Sequence, residues 1–163
     1  MKIRTETPDD YDAIHRLTKA AFDPMPFSDG TEADCIDVLR GDGDLTLSLV
    51  ATRDTGILGH IAFSPVFLDG RPGHWYGLGP VSVWPHLQKS GIGSALIYEG
   101  LARLRAMEAD GSILIGDPNY YSRFGFRSGD ELTYRDLPNR LVQWLSFNDV
   151  QPLGVLRFSP GLE

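Results

Sequence analysis

The chain has 163 residues, 42% of them apolar and 23% charged, and no internal repeat, which is material for one folded domain over residues 1–163 with a full core. A net charge of −7 argues against a nucleic-acid or anionic-membrane binder, and no apolar run approaches the roughly 20 residues of a membrane span. The opening Met1-Lys-Ile-Arg-Thr-Glu6 lacks a signal-peptide core, so a cytoplasmic location is expected; the single Cys35 excludes an intrachain disulfide and offers no metal-ligand cluster, so no metal is expected.

Lys2–Glu6 alternates as an opening strand should, and Thr7-Pro-Asp-Asp10 starts a helix with a natural N-cap, a proline in first position and a box-like acid. Ile14, Leu17, Ala21 and Phe22 recur at helical spacing until Asp23–Gly30 breaks the pattern. Thr31–Leu39 reads as a second helix closed by Gly41. Three strands follow in a meander: Leu45–Thr52, a turn at Asp54–Gly56, Ile57–Leu68, a turn at Asp69–Gly73, and His74–Trp84. The third contains Gly77-Leu-Gly-Pro80, and proline cannot donate to a ladder, so a bulge is expected there that splays the strand and frees backbone groups.

Gly91–Ala109 carries the longest helical pattern, with Ile92, Leu96, Ile97, Leu101, Leu104 and Met107 forming a broad apolar face. Ser112–Gly116 is a short apolar strand, so residues 81–116 read as a strand–loop–helix–strand crossover with parallel strands. Tyr120–Phe124 is a short helix ended by Gly125. Beyond it the patterns are weaker: a strand at Leu132–Tyr134, a helix around Leu141–Leu145 and a strand at Val155–Phe158.

The loop before the long helix points to a ligand. Gly91 and Gly93 let backbone approach closely, and the helix start offers unpaired N–H groups at the positive end of its dipole. Such a site holds an anion, usually phosphate. A nucleoside-triphosphate loop needs Gly-Lys-Ser/Thr at the helix start, but the sequence there is Gly93-Ser-Ala95; a dinucleotide fingerprint needs glycine where Leu96 stands.

Gln88-x-x-Gly91-x-Gly93, following Val81-x-Val-x-Pro85, resembles the acyl-CoA loop of the GNAT superfamily of N-acetyltransferases. Tyr121-Ser-Arg-Phe-Gly-Phe126 resembles the later Tyr-x-x-x-Gly-Phe motif of that family, and Gly116-Asp-Pro118 before it is similar to a bacterial subset. The order of elements resembles the family over nearly the whole chain, most strongly over residues 77–126. The chain departs from it at Leu114, where many members carry asparagine.

The resemblance implies an α/β fold with a mixed, mostly antiparallel sheet, helices on both faces, and a bulge and V-shaped splay between strands 4 and 5. It implies acetyl-CoA as cosubstrate, with the pantetheine arm beside Val81, Ser82 and Val83. The pyrophosphate would take amides of Gln88, Lys89, Ser90, Gly91, Ile92, Gly93 and Ser94, and Lys89 could add charge. Tyr121 would be the general acid toward the departing thiolate. A thiol pKa of about 8.5 against about 10 for a phenol makes complete proton transfer uphill, so its help is a hydrogen bond to developing charge. The base stays open among His74, Glu32, Asp117 and a water-mediated route; His60 and His86 read as surface or satisfied histidines, and Tyr120 as pointing elsewhere. Phe27, Trp75 and Tyr76 could wall the acceptor pocket, while Trp84 and Trp144 read as packing. The expected reaction moves acetyl to a primary amine of a small molecule or protein in a ternary complex. A non-catalytic acyl-CoA-binding sensor or structural module of the same fold is the alternative, and exposed edge strands leave a homodimer open.

Overall fold

The computed structural model of the chain describes residues 1–54 and 56–163, so the hairpin turn expected at Asp54–Gly56 lies partly outside the described residues. Eight strands and four α-helices follow one another among the described residues: β1 (Lys2–Thr5), α1 (Tyr11–Phe22), α2 (Glu32–Asp42), β2 (Leu47–Arg53), β3 (Gly56–Leu68), β4 (Arg71–Val83), α3 (Ile92–Ala106), β5 (Gly111–Ile115), α4 (Pro118–Tyr121), β6 (Leu132–Thr133), β7 (Val142–Ser146) and β8 (Gly154–Phe158). The sheet runs β1-β2-β3-β4-β5-β7. Only β4–β5 and the short β6–β8 pair are parallel among the described strands. β8 pairs with Val66–Leu68, on the stretch of β3 that extends past its pairing with β2.

Alternation along β2 decides which helix lies on which face. Leu49 and Ala51 join Ile61, Phe63 and the inner side of α3 (Leu96, Ile97, Leu104) in one core, whereas Val50 packs with Ile14 of α1 and Ile36 of α2 on the other. Helices therefore cover both faces, and β2 and β3 are buried on each side. A third core, around Trp75, Ile113, Trp144 and Leu156, fills the end where β5, β7 and β8 gather. No helix among the described residues is long and apolar enough to cross a membrane.

The expected bulge is present. Ile61 pairs with Val81 but Phe63 with Leu78, so Gly79 and Pro80 together oppose Ala62. β4 pairs with β5 through Trp75, Tyr76 and Gly77 and no further, which opens the splay between them.

Several boundaries differ from the sequence reading. α2 continues through Gly41 and ends on Gly43, whose left-handed φ of 77° caps it. The turn before β4 is Asp69-Gly70, and Arg71–Gly73 already belong to the strand. Met107 lies past the end of α3 and is exposed. The helix expected at Leu141–Leu145 is instead β7, paired antiparallel with β5. A short apolar run has no readable period, and the open edge of β5 decides its state. Gln143 shares in that choice by donating to the Gly116 carbonyl at 2.9 Å.

Candidate active site

The segment between β4 and α3 is held open from below. The Trp84 indole N–H donates to the Ile57 carbonyl at 2.9 Å, and Pro85–Leu87 make one 3-10 turn. The Gln88 side-chain amide donates to the Val83 carbonyl at 3.1 Å, and the Ser90 hydroxyl donates to the Leu87 carbonyl. Lys89 (φ 64°) and Gly91 (φ 90°) both turn left-handed, which reverses the chain into α3. The first helical bond is Ala95 N–H to Gly91 C=O at 3.0 Å. Among the described residues, no amide from Lys89 to Ser94 has a protein acceptor, so a row of donors faces outward at the positive end of a fifteen-residue helix.

Gln88 itself is arranged differently from the expectation. Its N–H already approaches the Pro85 carbonyl at 3.4 Å and its side chain ties the loop to β4, so it fastens the loop and the donor row begins at Lys89. Lys89 and Ser90 are exposed, Ser94 is half-buried and Ile92 packs into the core. Val81 and Val83 line the groove beside the loop, while Ser82 is buried opposite His60 on the far face of the sheet.

Across the groove, Asp117 caps α4 by accepting the Asn119 N–H at 2.9 Å. The approach to α4 is fixed by Gly116, whose N–H donates to the Leu141 carbonyl at 3.1 Å. A Cβ on Gly116 would lie 2.7 Å from Cε2 of Tyr121, so the ring of Tyr121 packs directly on that backbone. Tyr121 also meets Tyr120 edge to face with centroids 4.9 Å apart, and burial pushes its phenol up to about 12. Tyr120 does not point away as expected: it too lines the groove, and its hydroxyl sits 3.7 Å from where a Cβ of Gly93 would be. A one-turn helix at the rim of a cleft can present two adjacent side chains to it, a circumstance invisible in a helical wheel.

The groove encloses about 1140 Å³. It runs from Val81, Val83 and Gln88 past the two tyrosines to the segment after α1, including Met25 and Phe27, and to Phe158 and Leu162 near the C-terminus. Of the three side chains named as bases, Glu32 and Asp117 line it; His74 does not and is exposed. Phe27 forms part of its wall, whereas Trp75 packs in the third core and Tyr76 lies outside the lining. Tyr134, Arg140 and Phe158 were not singled out from sequence, because they come from a tail whose pattern is irregular. A smaller hollow of about 400 Å³ beside Arg4 and Asp10 shares none of these residues.

The other candidates fall into structural roles. Trp144 is buried, and His86 is exposed. Burial pushes the Cys35 thiol up, which does not suit a nucleophile. His60 is buried rather than superficial. Its Nε2 lies 2.7 Å from the Ser48 hydroxyl, its Nδ1 has no partner among the described residues, and desolvation lowers its pKa to about 4.

Such an arrangement can bind a phosphate-bearing ligand on the donor row and lay an extended, amide-containing arm along the unpaired edge of β4. It brings a neutral phenol and two carboxylates to the far end of that arm.

Residues 2–129 match the family described as acetyltransferase (GNAT) domain. The uncharacterized N-acetyltransferase YhbS of Escherichia coli K12 is 42% identical over 127 residues, covering 77% of this chain and 73% of that protein. The crystal structure of a GNAT family acetyltransferase from Brucella melitensis in complex with acetyl-CoA superposes with a TM-score of 0.90 at 44% identity, covering 99% of this chain and 97% of that one. The structure of Escherichia coli YhbS in complex with CoA also gives 0.90, at 33% identity and with 99% and 91% of the two chains covered.

Proposed function

The chain belongs to the GNAT acetyltransferases, and from that premise we propose how its residues carry an acetyl group from acetyl-CoA to a primary amine. The observation that carries the reading is one groove lined by the open side of β4 and by Tyr121, with the free amides of Lys89–Ser94 adjoining it at Gly93, beside the lining residues Val83 and Tyr120. The amides and the α3 dipole hold the pyrophosphate without needing a basic surface, which suits a chain of net charge −7. The side of β4 that β5 leaves open beside Val81–Val83 receives the pantetheine arm as an added strand would. Room beside Gly93, where a Cβ would touch only Tyr120 and Val83 at ordinary distances, lets a phosphate approach the helix start.

Tyr121 acts at the thioester end. With its pKa near 12 it remains protonated, and handing its proton to a thiolate of about 8.5 is uphill by about 5 kcal/mol. Its service is a hydrogen bond that strengthens as charge develops on sulfur. The amine must lose a proton before it attacks, and Glu32 and Asp117 are the carboxylates lining the groove among the described residues. Glu32 accepts from the Ser28 hydroxyl and Asp117 spends one oxygen on its helix cap, so each retains acceptor capacity.

The unbroken pairing from β1 to β7, with β8 added to β3, supports residues 1–163 acting as one acyltransferase unit. The test is release of CoA thiol from acetyl-CoA across a panel of primary amines, with product mass confirming an amide. A protein that binds acetyl-CoA yet releases no thiol with any amine would be a sensor, and the transfer reading would fall.

A further inference from the structure

We infer that the acceptor is a small primary amine with a single cationic head on a bulky apolar tail, an aralkylamine or a long-chain alkylamine. The inference rests on the transfer reading and concerns the half of the groove beyond Tyr121. Two groups of apolar residues line it. Phe22, Met25 and Phe27 come from the end of α1 and the segment after it, and Tyr134, Phe158 and Leu162 from the C-terminal part. Tyr134 contributes no free hydroxyl to this wall: its O–H donates to Glu163 Oε2 at 2.6 Å, and its ring meets Phe158 edge to face at 5.1 Å. The groove is thus offered an aromatic surface whose polar atom is already spent. Phe27 is 76% exposed at the rim, a large apolar side chain left in water beside a cavity it can help close.

The charges are distributed to match one ammonium and one uncharged tail. Glu32 and Asp117 supply the negative charge, and Arg140, exposed on the lining, is the cation among the described lining residues. Arg140 on the same lining repels a second ammonium, which disfavours a polyamine. In the reaction the C–N bond forms as the C–S bond breaks. The ammonium gives up two protons, one passing through a carboxylate to solvent and one ending on the CoA sulfur, so acetyl-CoA and ammonium become amide, CoA thiol and one proton.

The experiment measures two things over the series ethylamine to octylamine, with 3-phenylpropylamine, spermidine and a peptide with a hydrophobic N-terminal residue alongside. One is thiol release with acetyl-CoA; the other is the thermal shift each amine gives the CoA-saturated protein, which needs no turnover. We expect kcat/KM to rise about threefold to fourfold per methylene until the groove is filled. The thermal shift should grow in parallel, with 3-phenylpropylamine far above spermidine. Phe27→Ala, at an exposed position, flattens the series. A chain-length series in binding without thiol release would sustain the tail specificity and sink the transfer reading alone. Equal binding along the series, or preference for spermidine or for the peptide, overturns the inference.

Discussion

Tyr121 sits where its ring is locked by packing on Gly116 and Tyr120 while its pKa is raised to about 12 by burial. A phenol this weakly acidic stays a donor at any working pH, so Tyr121→Phe should lower kcat by about 10²–10⁴ with CoA affinity unchanged. Wild-type turnover in that variant would falsify the role. His60 makes a second residue-scale prediction, about stability. Its folded pKa of about 4 lies below the unfolded value of about 6.5, so the unfolded chain binds the extra proton first. The contribution of neutral His60 is therefore complete above about pH 6.5 and is lost as pH falls to about 4, amounting to about 3 kcal/mol. Urea midpoints measured from pH 7 to 4 should fall steeply, and His60→Gln should flatten that limb. Asp10, held below the usual carboxylate range mainly by hydrogen bonds from Arg4, acts in the same direction but at still lower pH. The tyrosine motif was readable as letters; the buried setting of His60 was not, because only pairing β2 with β3 brings Ser48 to its Nε2.

At the scale of elements, the start of α3 separates two glycines that look alike in sequence. Gly91 has φ 90°, so alanine there is strained even in the free protein, by about 1–2 kcal/mol. Gly93 has no such constraint, and a Cβ would find its first neighbours at 3.7 and 3.8 Å. Gly93→Ala should therefore keep the wild-type melting temperature or raise it slightly, since alanine favours helix, while weakening acetyl-CoA binding about tenfold or more by crowding the phosphate path. Calorimetric titration with CoA beside a thermal melt checks both halves. Loss of stability with unchanged affinity would show that Gly93 serves the fold instead. The proline bulge and the crossover helix were legible because Pro80 forbids a ladder bond and the apolar period from Ile92 to Leu104 is long. β7 was not, since its five residues carry no period and take their conformation from the edge of β5.

For the whole molecule, the balance of charge sets how the two substrates arrive. A chain at net −7 repels a polyanionic cosubstrate at long range and attracts a cationic amine. Raising ionic strength from about 10 mM to about 0.5 M shortens the Debye length from about 30 Å to a few ångströms. Steady-state kinetics should then show KM for acetyl-CoA falling and KM for the amine rising. A shared trend would mean that local fields outweigh the global one. By itself the sequence determined the order of elements as far as Phe124, the glycine turn before α3 and the tyrosine motif at α4, because these depend on local backbone preferences and spacing along one stretch of chain. Only the tertiary structure decided that Tyr120 shares the groove, that His74 stands outside it, and that Tyr134, Arg140 and Phe158 complete its far end. The far side of the groove depends on how β8 folds back against β3, contacts between residues some 90 positions apart, and on how β7 pairs with β5 across about 30 positions, neither of which a local pattern encodes.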